Sequence, residues 1–186
     1  LEENGHFVAI ATGRAHYKAR KFTDANGFKN MVCCGGNGCV IDNELVENIP
    51  LDKGGCIKII HQAEELGYGW CVALDDTKDV YMTDDKFLRQ VGKRKEPTRY
   101  IIDDMLEVEK ADAIYKVYVA IPKEDEEKLT TKELVGHLRF EPEYLMFQPD
   151  NKRGGIIKMM EHLNADIKDV VVFGDDYNDM DMFCPE

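Results

Sequence analysis

The chain has 186 residues, 24 basic against 36 acidic, for a net charge of −12. That length allows one large domain or two small ones, and the acidic balance disfavours a nucleic-acid surface and would repel anionic substrates unless a cation intervened. No apolar run approaches the ~18 residues of a membrane span and no signal-like N-terminus is present, so the sequence predicts a soluble, cytoplasmic protein with neither membrane nor nucleic acid as partner.

The six cysteines (Cys33, Cys34, Cys39, Cys56, Cys71 and Cys184) form no C-x-x-C pair, and several lie in apolar runs. They are read as reduced core residues, which argues against zinc and disulfides. The histidines are scattered, with no H-x-x-x-H or H-E-x-x-H spacing.

Taken in order, residues 1–5 read as the last turn of a helix whose body is absent, and the chain begins at Leu1 rather than Met. This predicts an internal fragment of a longer protein. Residues 7–11 form a short apolar strand that exits through Thr12-Gly13-Arg14. Helical spacing follows, with Ala15, Ala19, Phe22 and Ala25 on one side and Asn26-Gly27 as the stop. Residues 31–34 are the next buried strand, ending in Gly35-Gly36-Asn37-Gly38, and residues 39–41 with 45–46 predict a hairpin across Asp42-Asn43. The glycine run matches neither G-x-G-x-x-G nor G-x-x-x-x-G-K-[ST], so its glycines are expected to let the backbone come close to something.

From about residue 50 the pattern changes. A helix over 54–66, stopped by Gly67, precedes strands at 69–74 and 80–82. The run 92–99, the only basic one, is read as a solvated loop. A strand over 114–121, a charged amphipathic helix over 124–134 and a short strand over 144–148 follow. Helix then antiparallel strands breaks the β-α alternation, so the chain is divided into a first core segment (1–48), an inserted α+β domain (49–148) and a second core segment (149–186). Trp70 and most tyrosines fall in the insert, where core packing is expected.

After Pro149, Asn151-Lys152-Arg153-Gly154-Gly155 opens a helix with Ile156, Ile157, Met160 and Leu163 apolar, ending near Asn164. Asp169-Val170-Val171-Val172-Phe173-Gly174-Asp175 then reads as a fully buried strand that delivers a carboxylate at its tip. Asp179 stands four residues further on, close enough for both acids to reach one hard cation such as Mg²⁺ if the loop turns helical. The same acids would also complement the dipole of a helix N-terminus. A calcium loop does not fit, because the alternating ligands and sixth-position glycine are missing. In a parallel sheet, strands exit and crossover helices start at one edge, so Thr12, Asn37, Asp175 and Lys152 should meet at one rim. A hydroxyl, a lysine and paired carboxylates there suit a phosphoryl group and its metal.

Ala11-Thr12-Gly13-Arg14, Asn37-Gly38, Lys152 at a helix start and Gly174-Asp175-Asp176-Tyr177-Asn178-Asp179 occur in the order of the haloacid dehalogenase-like (HAD) superfamily. More narrowly, the chain resembles its Cof-type, HAD-IIB phosphatases. The resemblance runs through the whole chain and is weakest in the insert. It implies an α/β fold, a Rossmann-like parallel sheet core with an inserted α+β cap, and a Mg²⁺-dependent hydrolase of small phosphorylated metabolites such as sugar phosphates, acting through an aspartyl-phosphate. By the same resemblance Thr12 binds the transferring phosphoryl group and Lys152 stabilises its charge. Asp175 is the direct metal ligand, Asp179 acts directly or through water, Asn178 supports the loop, and Gly13, Arg14 and Asn37 line the phosphate pocket.

The chain departs from this family in one respect. The motif D-x-D-G-T, which supplies nucleophile and acid/base, is absent, and the only D-x-D is Asp179-Met180-Asp181 inside the fourth motif. The fragment is therefore expected to be inactive, with two strand edges unpaired and the middle strand of its core missing. A phosphomutase or other phosphotransferase on the same scaffold, or a non-catalytic phosphate- or metal-binding module, are the alternative readings.

Overall fold

The computed structural model describes residues 1–94, 98–175 and 177–183. The chain divides into two units, Leu1–Ile49 with Pro149–Glu186, and Pro50–Gln148. In the first, a short 3-10 turn (Glu2–Asn4) ends at Gly5 in the left-handed region, φ 82°. The predicted strand over 7–11 is reduced to β1 (Ile10–Ala11), and Phe7 stays exposed. Helix α1 (His16–Asn26) stops where Gly27 takes φ 74°. Its buried residues are His16, Ala19 and Thr23, so the helix is rotated from the predicted face. Phe22, half exposed, stacks instead on Phe28 just past the helix, ring centroids 6.3 Å apart.

Strand β2 (Met31–Cys33) is wholly buried and parallel to β1, which completes one β-α-β unit. Strands β3 (Gly38–Ile41) and β4 (Glu44–Asn48) add antiparallel neighbours, in the order β1-β2-β3-β4. The predicted hairpin forms because Asp42 and Asn43 both accept positive φ, 49° and 68°, the geometry of a two-residue turn matched to strand twist.

The second unit begins with α2 (Lys53–Glu65), whose first turn is capped by Asp52 accepting from the Gly55 N–H at 2.6 Å. Its sheet comprises β5 (Trp70–Ala73), β6 (Asp79–Met82), β7 (Arg99–Ile102), β8 (Lys116–Val119), β9 (His137–Glu141) and β10 (Tyr144–Phe147). The order is β7-β6-β5-β8-β10-β9. Ile59, Ile60, Val72, Val117, Leu145 and Phe147 pack between helix and sheet. A short helix α3 (Lys86–Val91) and the edge strands β7 and β9 were not expected.

The predicted helix over 124–134 does not form; two 3-10 segments, Lys123–Lys128 and Lys132–Leu134, stand in its place. Gln62 of α2 holds the Thr130-Thr131 pair between them, accepting from the Thr131 N–H at 2.9 Å and donating to Thr130 Oγ1 at 2.9 Å, while Leu129 is fully buried. Tertiary packing wins over helical propensity here. The basic run is not simply solvated either. The Arg94 guanidinium lies 3.9 Å from the Tyr118 ring centroid and donates to Thr98 Oγ1 at 2.9 Å, and Arg99 pairs with Asp79. Lys95, Glu96 and Pro97 of that run lie outside the described residues.

Back in the first unit, α4 (Lys152–Leu163) is capped by Asn151, whose side chain accepts from the Gly154 N–H at 2.9 Å, and stops at Asn164, φ 51°. Its buried residues are Lys152, Gly155 and Met159, with Ile156 and Leu163 against the same cluster as Val32 and Cys39. The buried strand expected before Asp175 is not realised. The run 170–173 joins no sheet among the described residues, and Val171 and Phe173 are 77% and 85% exposed. A strand needs a neighbour for its N–H and C=O groups, and among the described residues β1 pairs with β2 alone.

The cysteines among the described residues form no disulfide with one another. Burial pushes Cys39 up to about 11 and Cys56 and Cys71 up to about 12. At pH 8 these three should label with a thiol reagent at least about a hundredfold more slowly folded than unfolded, their thiolate being depleted as well as shielded. Equal rates in the two states would contradict the packing.

Candidate phosphoryl site

Backbone hydrogen bonds lace three segments of the first unit into one rim. After β1, Thr12 donates its N–H to Val32 O at 2.9 Å and accepts at its carbonyl from the Gly35 N–H at 3.3 Å. Its hydroxyl oxygen accepts from the Arg14 N–H at 3.2 Å, and the Arg14 carbonyl accepts from the Cys34 N–H at 2.8 Å. Gly35 in turn accepts from the Asn151 N–H at 2.8 Å, at the start of α4. What the glycine run approaches is therefore the N-terminus of α4. A Cβ on Gly35 would lie 1.8 Å from the Pro149 carbonyl oxygen, and one on Gly36 2.0 Å from that of Asn151. Gly35 also sits at φ 66°. Gly35→Ala should cost about 2–4 kcal/mol, from left-handed strain plus overpacking against backbone that cannot move aside. Chemical denaturation checks this, and an unchanged midpoint would contradict the contact.

Lys152 is the centre of the arrangement. It is only 4% exposed, and its ammonium donates to Asp179 Oδ1. Asp179, 7% exposed, accepts at Oδ2 from the Asp175 N–H at 3.1 Å. Gly174 permits this tight loop, since a Cβ there would come within 2.5 Å of Asp179 Cβ. The Asp175 side chain belongs to an exposed residue, whereas both oxygens of Asp179 are engaged inside the protein. Of the two expected metal ligands, Asp175 is thus the one presented outward, and Asp179 orients lysine and loop.

The remaining expected residues take varied places. Gly13 is half-buried and Arg14 exposed on the first loop; Asn178 is half-buried in the 3-10 segment Tyr177–Phe183. Asn37 donates its carboxamide N–H to Ile49 O at 3.0 Å and exchanges a backbone bond with the same residue, so its side-chain nitrogen braces the loop. Asp176 lies outside the described residues.

Two acids were missed by the sequence reading. Asp181 Oδ2 accepts from the Arg153 N–H at 2.9 Å. Partial desolvation, then the nearby Asp181 carboxylate, hold the Asp150 carboxyl above its usual range, with Lys152 opposing. The isolated D-x-D was the available signal for Asp181. Among the described residues no group of three or more His, Cys, Asp and Glu is arranged to hold a metal. Of the expected ligands, Asp175 is an exposed residue of the acidic loop, and a lone carboxylate of that kind is the type of oxygen donor a hard cation takes together with water and phosphate oxygens.

The family model for haloacid dehalogenase-like hydrolases matches residues 1–184. The chain belongs to that family. With membership goes the enzyme class read from the motifs, a HAD-like phosphoric monoester hydrolase. Among curated relatives, "Putative phosphatase YkrA" of Bacillus subtilis (strain 168) is 26% identical over 185 residues, which is 98% of this chain and 71% of the relative. Among solved structures, TM0651 of Thermotoga maritima superposes with a TM-score of 0.73 at 22% identity, covering 97% of this chain and 72% of the other. The HAD subclass IIB sugar phosphatase BT4131 gives 0.68 at 18% identity, with 97% and 72% covered. These superpositions show the shared HAD fold, an α/β architecture.

Proposed function

We propose that the intact protein carrying this chain is a Mg²⁺-dependent phosphatase of small phosphorylated metabolites such as sugar phosphates, and that it works through an aspartyl-phosphate. The buried Lys152–Asp179 pair carries this reading. A lysine held 4% exposed at a helix N-terminus, where the dipole disfavours a cation, is costly without an anion, and Asp179 supplies the one that keeps this charge in place at the rim. In this reading Lys152 and the Thr12 loop hold the phosphoryl oxygens, Asp179 fixes the lysine, and Asp175 is the carboxylate that would hold the metal. Mg²⁺ would neutralise phosphate charge that the chain's net charge of −12 otherwise repels. Positioning and charge neutralisation account for most of phosphoryl-transfer catalysis, so no strong base is required of these residues.

The nucleophile is assigned to a D-x-D-G-T strand, which the 186 residues do not contain. We further propose that Pro50–Gln148 acts as an inserted cap that chooses the substrate, and that the protein works in the cytoplasm. No helix among the described residues is long and apolar enough to cross a membrane. The curated relative's name and the sugar phosphatase neighbour support a phosphatase over other chemistry. The test is phosphate release from a panel of sugar phosphates, with and without an acceptor sugar. Free phosphate in both arms supports hydrolysis, while transfer to the acceptor would turn the reading to a phosphotransferase.

A further inference from the structure

We infer that Asp181 is a positioning residue: it clasps the first turn of α4 to the acidic loop and so sets the place of Lys152. The inference deepens the proposed phosphatase site and rests on that reading. The observation is a two-point contact. Consecutive residues of α4, Lys152 and Arg153, bond to two residues of the 3-10 segment on the same carboxylate ladder. Lys152 reaches Asp179 through its side chain, and Arg153 reaches Asp181 Oδ2 through its backbone N–H at 2.9 Å.

One bond alone would leave a hinge, since a lysine side chain has four rotatable carbons and can follow a moving acid. The second bond is made by rigid backbone at the base of that side chain. It fixes where the lysine starts, and Asp179, two residues before Asp181, fixes where it ends. Within its own loop the first turn of α4 is capped by Asn151, which accepts from Gly154 and Gly155. That cap holds the helix end but does not register it against the acidic loop. Asp181 does, from 28 residues further along the chain. Its other oxygen, Oδ1, is buried and meets no hydrogen-bond partner among the described residues, so this carboxylate is tucked against the helix terminus rather than solvated.

The test compares Asp181→Ala with Asp181→Asn, which keeps an acceptor oxygen, in the intact protein. Two readouts are taken: amide hydrogen exchange at Arg153, and steady-state hydrolysis of p-nitrophenyl phosphate at a temperature where all forms are folded. Asp181→Ala should exchange at Arg153 at least about tenfold faster and lose about ten- to a hundredfold in kcat with KM little changed, while Asp181→Asn stays within about threefold of the unsubstituted protein. A purely stabilising cap would lower the melting temperature and leave kcat alone, and that result overturns the inference. So does Asp181→Asn behaving like Asp181→Ala, or exchange at Arg153 unchanged by either. If the unsubstituted protein fails to hydrolyse the ester, the phosphatase reading falls, and the clasp is then judged on the exchange at Arg153 alone.

Discussion

Lys152→Met in the intact protein should lower kcat about a hundred- to a thousandfold, the range found for removing one preorganised donor to developing charge. It should also destabilise the fold by about 3–5 kcal/mol, because the buried Asp179 carboxylate would lose its countercharge. Lys152 and Asp179 are 4% and 7% exposed, so solvent cannot take the lysine's place. The two effects separate in a double variant. Lys152→Met with Asp179→Leu removes both charges, and replacing a buried pair by apolar side chains is often neutral or better for stability. Denaturation should therefore show recovery in the double variant while p-nitrophenyl phosphate hydrolysis stays lost. If the single variant unfolds at the same denaturant concentration as the unsubstituted protein, the buried pair is not what the structure shows.

Asp175→Asn should do the opposite, abolishing Mg²⁺-dependent turnover with little change in stability. Asp175 is exposed, and its contribution to the loop is a backbone N–H given to Asp179, which asparagine keeps. Surface substitutions of this kind change stability by about 0.5 kcal/mol or less. The paired observation is a thermal shift on adding Mg²⁺, present in the unsubstituted protein by linkage and absent in the variant. Retained turnover in Asp175→Asn would remove this carboxylate from the site.

Much of the first unit could be read directly because its signals are local. Gly27, the Asp42-Asn43 turn and Asn164 stop or turn the chain by backbone preference alone, and the structure follows them. The second unit was harder for a physical reason. Its edge strand β9 carries Arg139, whose guanidinium is spent on Glu126 and on the carbonyls of Ile121 and Pro142, so polar residues there are structural and do not alternate as surface. The stretch 124–134 has helical composition, yet Gln62, more than sixty residues earlier, decides its conformation. At the site, spacing placed Lys152 beside the acidic loop but could not say which acid it would meet. Nor could spacing show that Asn37 braces Ile49, or that Val171 and Phe173 stay exposed, since both depend on which neighbours the backbone finds.

The most direct test of the account is hydrolysis of p-nitrophenyl phosphate, with and without Mg²⁺, by this chain and by an intact form that carries a D-x-D-G-T strand upstream. Turnover is expected only in the intact form and only with Mg²⁺. Turnover by this chain alone would contradict the assignment of the nucleophile to that strand, and a well-folded intact form that is inactive with the metal would contradict the phosphatase reading itself.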